Sequence, residues 1–178
     1  MDYAAFLRAV NVGGRNPLSM KQLVAMLQDL GFDDVRTHIN SGNIIFGAPR
    51  ADRRELAQRI ERAIEQHTAM PVMALVLTRS DLKKLVEAIP QAWMNDTQMR
   101  CDVLLLWADV DKRSVLDQLP INPDIEDVIY VPGAVIWRVD RAHATRSRLT
   151  KIVGTPLYKQ LTIRNVNTIR KLHELAAR

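Results

Sequence analysis

Hydrophobic and polar positions in the first 78 residues predict the order β-α-β-β-α-β. Ser19 followed by Gln22 forms a capping box, and the apolar residues after it recur at helical spacing as far as Gly31. A second amphipathic helix is predicted over 52–67. The predicted strands span 3–10, 35–39, 44–46 and 72–77, and the compact turn 40–43 joins the middle two as a hairpin.

The same order of elements begins again after a helix predicted over 81–89 and a polar linker. Residues 41–46 (Ser-Gly-Asn-Ile-Ile-Phe) align with 132–137 (Pro-Gly-Ala-Val-Ile-Trp), since each segment has glycine in the turn and an aromatic residue at its end. This similarity indicates a duplication. The second copy is predicted to contain strands 103–107, 128–131, 134–139 and one near 161–163, with helices over 112–119, near 148–153 and over 165–176.

The predicted fold is α+β, with two duplicated split-βαβ (ferredoxin-like, alpha-beta plait) units. Each unit is expected to be an antiparallel sheet with helices on one face, and an extra helix follows at the C-terminus. The predicted divisions are a first unit over 1–78, a helix and linker over 79–100, and a second unit over 101–178.

Two predicted strands, 72–77 and 103–107, lack polar alternation, so we expect both faces of these strands to be covered. Covered faces do not suit the RNA-recognition module, which stacks bases on aromatic side chains of an exposed sheet. The third strand offers only Phe46 for such stacking. RNA binding by that mode is therefore not expected.

Composition favours a globular protein of the cytoplasm. The chain has 178 residues, of which 47% are hydrophobic, and no apolar run approaches the roughly 20 residues needed to cross a bilayer. Residues 1–6 carry no basic group before their apolar stretch, so no secretory signal is predicted. Cys101 is the only cysteine, which excludes an internal disulfide and suits a reducing compartment. No membrane partner is expected.

Charge is unevenly distributed along the chain. Residues 138–178 contain ten Lys or Arg and two acids, a net charge of +8, which leaves −3 for the remainder because the whole chain carries +5. Such asymmetry favours an anionic partner for the C-terminal part. A basic face that is merely solvated explains the same pattern, so both interpretations stay open at this point.

The motifs that announce common catalytic chemistry are absent from the sequence. It contains no phosphate-binding P-loop, no dinucleotide-binding glycine fingerprint and no nucleophile elbow. The four histidines are scattered, so no metal site is predicted, and no cofactor is implied. Cys101 opens an apolar strand, which predicts a buried core residue and not a nucleophile.

One edge of the first unit is better equipped for binding than the rest. In the split-βαβ topology the end of the first strand lies beside the start of the third, and the capped first helix opens nearby. Glycine turns and helix N-termini present backbone N–H groups that favour anions. Turn formation and loop capping explain the same residues without a ligand. The residues at this edge are Arg8, Asn11, Gly13, Gly14, Arg15, Asn16, Ser19, Lys21, Ser41, Gly42 and Asn43. The second copy has Trp107, Ala108 and Asp109 against Gly133 and Ala134, with fewer polar groups.

Two groups of residues carry a resemblance to a known family. The first comprises residues 7–14 (Leu-Arg-Ala-Val-Asn-Val-Gly-Gly), Asn16, Met20 and 39–43 (Ile-Asn-Ser-Gly-Asn); the second lies in 148–154 and 162–172. Over nearly the whole chain the sequence resembles the bacterial family known as domain of unknown function 1697. It departs from the family pattern at Ala9-Val10, where Gly-Ile is usual, and at Val166, where Trp is usual.

The resemblance implies two ferredoxin-like halves and no established activity. It also marks a second polar group, Arg164, Asn165 and Thr168, near the start of the last helix. Asn165 fits a helix cap. A sharper hypothesis is that Arg164 and Asn165 reach the edge formed by Arg8, Asn11 and Ser41 and complete a polar cleft between the halves.

These observations favour a binding protein for an anionic ligand, either a phosphometabolite or a nucleic-acid backbone, over two alternatives. The first alternative is an enzyme, a hydrolase or a transferase, that uses the same cleft with Ser41 or Arg164 at its centre. The second is a protein–protein interaction module that uses sheet edges or the basic segment 146–151. No sequence motif supports the nucleic-acid ligand specifically.

Overall fold

Within the part of the chain that the structure describes, eight strands form two sheets that share one strand order. The computed structural model describes residues 1–8, 18–39 and 42–177. The first sheet has the order β2-β3-β1-β4 and the second β6-β7-β5-β8, and every neighbouring pair is antiparallel. The strands are β1 Asp2–Arg8, β2 Asp33–His38, β3 Asn43–Gly47, β4 Met73–Thr78, β5 Met99–Leu106, β6 Glu126–Val131, β7 Ala134–Asp140 and β8 Leu161–Asn165.

The α-helices among the described residues are α1 Met20–Asp29, α2 Arg53–Thr68, α3 Arg79–Ala88 and α4 Val166–Ala176. The predicted capping box at Ser19 is present, since its hydroxyl oxygen accepts from the Gln22 N–H at 3.1 Å and the Gln22 amide oxygen accepts from the Ser19 N–H at 3.1 Å. The Asp52 carboxylate starts α2 by accepting from the N–H groups of Arg54 and Glu55. These elements confirm the predicted α+β fold with a C-terminal helix.

In the second copy, the helices predicted over 112–119 and near 148–153 are single 3₁₀ segments, at Arg113–Gln118 and Leu149–Ile152. Each stretch is too short to offset the cost of nucleating an α-helix, and Pro120 follows the first closely. Further 3₁₀ turns span Ala108–Val110, Arg141–Arg146 and Leu157–Gln160.

The described chain divides into two compact units, Met1–Lys83 with Lys171–Arg178, and Lys84–Arg170. In the first unit, Leu23 of α1 and Ile60 of α2 pack on the sheet face that carries Tyr3 and Phe46. The other face of that sheet is buried as well, at Ala4, Phe6, Ile45 and Leu75. The boundaries predicted from the sequence at 78 and 101 stay a prediction.

The second unit builds its core from side chains of the 3₁₀ turns in place of α-helices. Val115, Leu149 and Ile152 pack with Leu104 and Trp137 of the sheet. All residues of β5 from Cys101 to Leu106 are buried. The absence of polar alternation in β4 and β5 thus corresponds to strands with both faces covered, as expected.

Candidate functional site

The end of β1 and the start of β3 meet at one rim of the first sheet, called here the first rim and defined by Arg8, Gly42 and Asn43. Phe6 pairs with Asn43, and the Leu7 N–H donates to the Gly42 carbonyl at 2.8 Å. Side chains alternate along a strand, so Arg8 and Phe6 share the face on which Asn43 lies. The predicted adjacency of these two strand ends is confirmed for the described residues.

Gly42 brings the two backbones of the first rim into close contact. Its φ of +68° lies in the left-handed region, and a Cβ placed there would come within 2.7 Å of the Leu7 Cβ. Glycine meets both demands because it has no side chain. The turn at 42 therefore needs glycine for packing, whether or not a ligand binds.

Asn43 is fully buried and holds the hairpin together from inside. Its Nδ2 donates to the His38 carbonyl at 3.1 Å, across the loop between β2 and β3. Burial of an amide requires such partners. A structural role for Asn43 is thus evident in the geometry.

Six other predicted residues of this edge lie outside the described residues: Asn11, Gly13, Gly14, Arg15, Asn16 and Ser41. Their part in ligand binding stays a prediction. Lys21, in the first turn of α1, is exposed.

Arg164 and Asn165 end β8 in the second unit and have separate local roles. The Arg164 Nη1 donates to the Thr162 hydroxyl at 2.9 Å and to the Ile163 carbonyl at 2.8 Å. Burial lowers the pKa of the Arg164 guanidinium to about 10. The Asn165 Oδ1 accepts from the backbone N–H of Thr168 at 2.9 Å and from its hydroxyl at 3.2 Å, so Asn165 caps α4. Their approach to Arg8 and Ser41 stays a prediction.

The second unit has an equivalent rim, defined here as the second rim by Trp107, Gly133 and Ala134. Leu105 pairs with Ala134, and the Leu106 N–H donates to the Gly133 carbonyl at 2.9 Å. Gly133 is also left-handed, with a φ of +89°. The aligned hairpins of the sequence thus correspond in hydrogen bonding as well as in residue pattern.

A carboxylate fills the second rim, and the sequence pattern does not reveal it. The Asp111 Oδ1 accepts from the Gly133 N–H at 2.7 Å and from the Tyr130 hydroxyl at 3.0 Å. The sequence indicates a rim with few polar groups, since Asp109 is the acid nearest to the end of the predicted strand. One sequence signal could have found Asp111. It is an acidic residue that follows an apolar strand by a few positions, where that strand pairs with a hairpin containing glycine.

Phe46 and Trp137, aromatic residues of β3 and β7, are buried. Phe46 is fully buried and stacks on Tyr3 and Phe32, with ring centroids 5.5 and 4.6 Å apart. Trp137, at the aligned position of the second unit, is 1% exposed. RNA recognition by exposed aromatic residues of the sheet is thus incompatible with the positions of Phe46 and Trp137.

Cys101 carries the one thiol of the chain, and its surroundings are those of a core residue. Burial, followed by the nearby Asp102 carboxylate, raises the pKa of the Cys101 thiol to about 12, so Cys101 is an inert core residue as expected. Within the described ranges no cluster of three or more His, Cys, Asp or Glu side chains could hold a metal ion. In the same ranges, none of the helices combines the length and hydrophobicity of a membrane span.

Comparison with known proteins gives a fold relative and a family. The conserved bacterial protein SP0830 from Streptococcus pneumoniae has a similar structure, with a TM-score of 0.83 and 25% sequence identity over 98% of each chain. No curated protein matches the sequence. The family model described as Protein of unknown function (DUF1697) matches residues 1–137, which include the first rim. The chain belongs to this DUF1697 family.

Proposed function

We propose that the protein binds an anionic ligand with a phosphate group, a phosphometabolite or a nucleic-acid backbone, at the first rim. Arg8 supplies charge, and the Gly42 N–H, which corresponds to the Gly133 N–H of the second unit, supplies a backbone donor. The observation that carries this proposal is the carboxylate at the second rim, where Asp111 accepts from the Gly133 N–H.

The correspondence between the two rims follows from their strand registers. Leu7 and Leu106 donate to the carbonyls of Gly42 and Gly133 respectively, so Arg8 corresponds to Trp107. By the same count, Asp111 corresponds to Val12. A duplicated scaffold thus has an internal anion at one hairpin and, in sequence, an apolar residue at the matching position of the other.

The segment that follows β1 has the composition of an anion-binding loop. Residues 9–17 (Ala-Val-Asn-Val-Gly-Gly-Arg-Asn-Pro) contain one arginine, two asparagines and two adjacent glycines, and no acid. The segment that contains Asp111 in the second unit, 108–113 (Ala-Asp-Val-Asp-Lys-Arg), contains two aspartates. We infer that an external anion takes the place at the first rim that Asp111 takes at the second.

Electrostatics around the first rim agree with this proposal. Arg8 lies at the first rim, Arg15 and Lys21 follow it in the sequence, and α1 has no acid in its first turn. Helix N-termini attract anions, since their first N–H groups have no partner within the helix. The net charge of +5 for the whole chain favours the approach of an anion in general.

A thermal-shift screen of nucleotides, sugar phosphates and short oligonucleotides tests the proposal. We expect at least one compound to raise the melting temperature of the wild type, and Arg8→Ala to remove most of that rise. Arg50→Ala is the matched control, because Arg50 is an exposed arginine of the same unit that follows β3 at the end where Gly47 pairs with Asp2, opposite the rim. The control variant should respond as the wild type does.

Two outcomes distinguish the ligand classes and test the site. A nucleic-acid backbone predicts affinity that falls steeply with salt, whereas a small phosphometabolite gives a shallower dependence. If every active compound stabilises the wild type and Arg8→Ala equally, the site at the first rim is wrong.

A further inference from the structure

A second pocket lies at the opposite end of the first sheet and is independent of the proposed anion site. Arg8 is the last residue of β1, and this pocket is at the first, Asp2. Its volume is about 370 Å³, enough for a molecule of amino-acid size. It is lined by Asp2, Asp34, Arg36, Arg79, Ala176 and Ala177.

Arg36 brings an unsatisfied guanidinium to this pocket. It lies in the edge strand β2 opposite Ile45, on the sheet face away from α1 and α2. Its Nε is buried without a hydrogen-bond partner, and across the described ranges 1–8, 18–39 and 42–177 the guanidinium has no carboxylate within ion-pair distance. Arginine fits planar carboxylates because its donors form a fork.

Asp34 brings an unpaired charge of the opposite sign. It is exposed, has a φ of +48°, and lies where the pairing of β2 with β3 shifts register between Asp33 and Arg36. A bulge of this kind redirects the side chains next to it. Among the residues described, no cation pairs with the Asp34 carboxylate, and it does not pair with Arg36.

The remaining two charges of the lining partly neutralise one another. The Arg79 Nη1 lies 3.5 Å from the Asp2 Oδ2, and both side chains are about half exposed. Among the described residues of the lining, the guanidinium of Arg36 and the carboxylate of Asp34 are then left to face a ligand. A phosphate dianion would satisfy Arg36 but would meet repulsion from Asp2 and Asp34.

We propose that this pocket binds a small zwitterion, a free α-amino acid, whose carboxylate pairs with Arg36 and whose ammonium group pairs with Asp34. Both protein charges are carried by β2 and line the same pocket. A ligand with only a carboxylate or only an ammonium group would leave one of these two protein charges without a partner. The site is therefore distinct from the first rim in both position and chemistry.

Amide chemical shifts of the whole protein, titrated with three matched compounds, test the proposal. The probes are L-alanine, propanoate, which lacks the ammonium group, and ethylamine, which lacks the carboxylate. We expect L-alanine to shift the amides of Asp34 and Arg36, and each of the other two to bind about tenfold more weakly, as expected from loss of one charged pair.

Two variants and one control distinguish binding at this pocket from binding elsewhere. Arg36→Gln and Asp34→Asn should each weaken L-alanine binding by about tenfold. Asparagine tolerates the left-handed backbone at 34, so Asp34→Asn should fold. Arg50→Gln, which removes an exposed arginine outside the pocket, should bind as the wild type does.

The proposal is overturned if propanoate binds as tightly as L-alanine, because the pocket would then be a simple anion site. It is also overturned if L-alanine shifts no amide near the pocket, or if Arg36→Gln binds it unchanged while its thermal unfolding matches the wild type. Loss of binding in both variants, with the control intact, supports it.

Discussion

At the first rim the Leu7 N–H donates to the Gly42 carbonyl, and at the second rim the Leu106 N–H donates to the Gly133 carbonyl. Both glycines have left-handed backbones. The two hydrogen bonds have nearly the same length, 2.8 Å at the first rim and 2.9 Å at the second. A duplicated unit thus keeps the backbone that joins its two central strands.

The side chains around this shared backbone differ. The hairpin at the first rim has four residues between β2 and β3, whereas the hairpin at the second rim has two between β6 and β7. The second rim is completed by Asp111 and Tyr130. The comparison teaches that at the two rims divergence after duplication lies in the loops and in the charges that meet them, while the sheet pairing is retained.

The largest expected change in the free energy of unfolding distinguishes Gly42 of the first rim from Gly133 of the second. Gly42→Ala introduces a left-handed alanine and a Cβ within 2.7 Å of the Leu7 Cβ, whereas a Cβ at Gly133 would have no atom within 4 Å. We expect Gly42→Ala to lower the free energy of unfolding by about 3 kcal/mol, from backbone strain and overpacking. Gly133→Ala should lower it by about 1 kcal/mol, from strain alone. Urea unfolding of both variants measures the difference.

Equal losses in the two variants would show that the Leu7 side chain can move aside, and that the first rim is no more tightly packed than the second. Gly31→Ala is a useful reference, since Gly31 is left-handed, follows a helix and has no atom within 4 Å of the position that a Cβ would occupy. It should behave as Gly133→Ala does.

Removal of the Asp111 charge at the second rim should give the next largest loss in the free energy of unfolding. Asp111→Asn weakens two hydrogen bonds at the second rim, which should lower the free energy of unfolding by about 2 kcal/mol. Burial, and then the hydrogen bond to Asp111, raises the pKa of the Tyr130 phenol above its ordinary value. The variant should therefore bring this pKa down, which an ultraviolet titration of the tyrosines detects.

Asp109→Asn is the matched control for this prediction. Asp109 is an exposed acid of the 3₁₀ turn that precedes Asp111, so its substitution should change neither the unfolding free energy nor the tyrosine titration. A Tyr130 pKa that is the same in Asp111→Asn and the wild type would contradict the assigned role of Asp111.

Replacement of Asn43 by alanine, the residue at the matching position of the second rim, should lower the free energy of unfolding by a smaller amount. Asn43 and Ala134 occupy matching positions and are both fully buried. Asn43→Ala removes the bond from Nδ2 to the His38 carbonyl, so the free energy of unfolding should fall by about 1 kcal/mol. Chemical denaturation provides the measurement. A variant as stable as the wild type would show that the Asn43 side chain contributes nothing to the free energy of unfolding.

Much of the first unit could be predicted from its sequence because its signals are local. The capping box at Ser19, the helical spacing after it and the apolar run that forms β4 each depend on residues close in the chain. The adjacency of Arg8 and Asn43 followed from topology, since strand order in a split-βαβ unit brings β1 beside β3. These are the parts of the fold where local preference and tertiary packing agree.

The carboxylate of the second rim was not predicted because the contact of Asp111 with Gly133 depends on a turn that periodicity does not reveal. The 3₁₀ segment Ala108–Val110 reverses the chain after β5 and brings Asp111 back to Gly133. The helices expected over 112–119 and near 148–153 are 3₁₀ turns because the stretches are short, and Val115 and Leu149 pack into the core from these turns. The pocket at Arg36 depends on the register shift beside Asp34, which the alternation of the strand also hides.

The smallest expected effect concerns the position where the two cores differ in polarity. Tyr3 pairs with Phe46 in the first sheet, and at the matching place in the second sheet Asp102 pairs with Trp137. Asp102 is 7% exposed, and the Arg100 Nε donates to its Oδ2 at 2.6 Å. Burial raises the pKa of the Asp102 carboxyl above its ordinary value of 3.8, and Arg100 offsets this only in part.

A raised pKa means that the folded protein holds this proton more tightly than the unfolded chain does. The stabilising contribution of the protonated carboxyl is complete below pH 3.8 and is lost as the pH rises through the higher pKa of the folded state. Asp102→Asn cannot ionise, so its free energy of unfolding should rise relative to that of the wild type across this pH window. The expected gain is within about 1 kcal/mol, since the variant also loses the charge pair with Arg100. Urea unfolding at a series of pH values measures it, and a wild type that gains stability over Asp102→Asn with rising pH would show that Arg100 outweighs burial at this site.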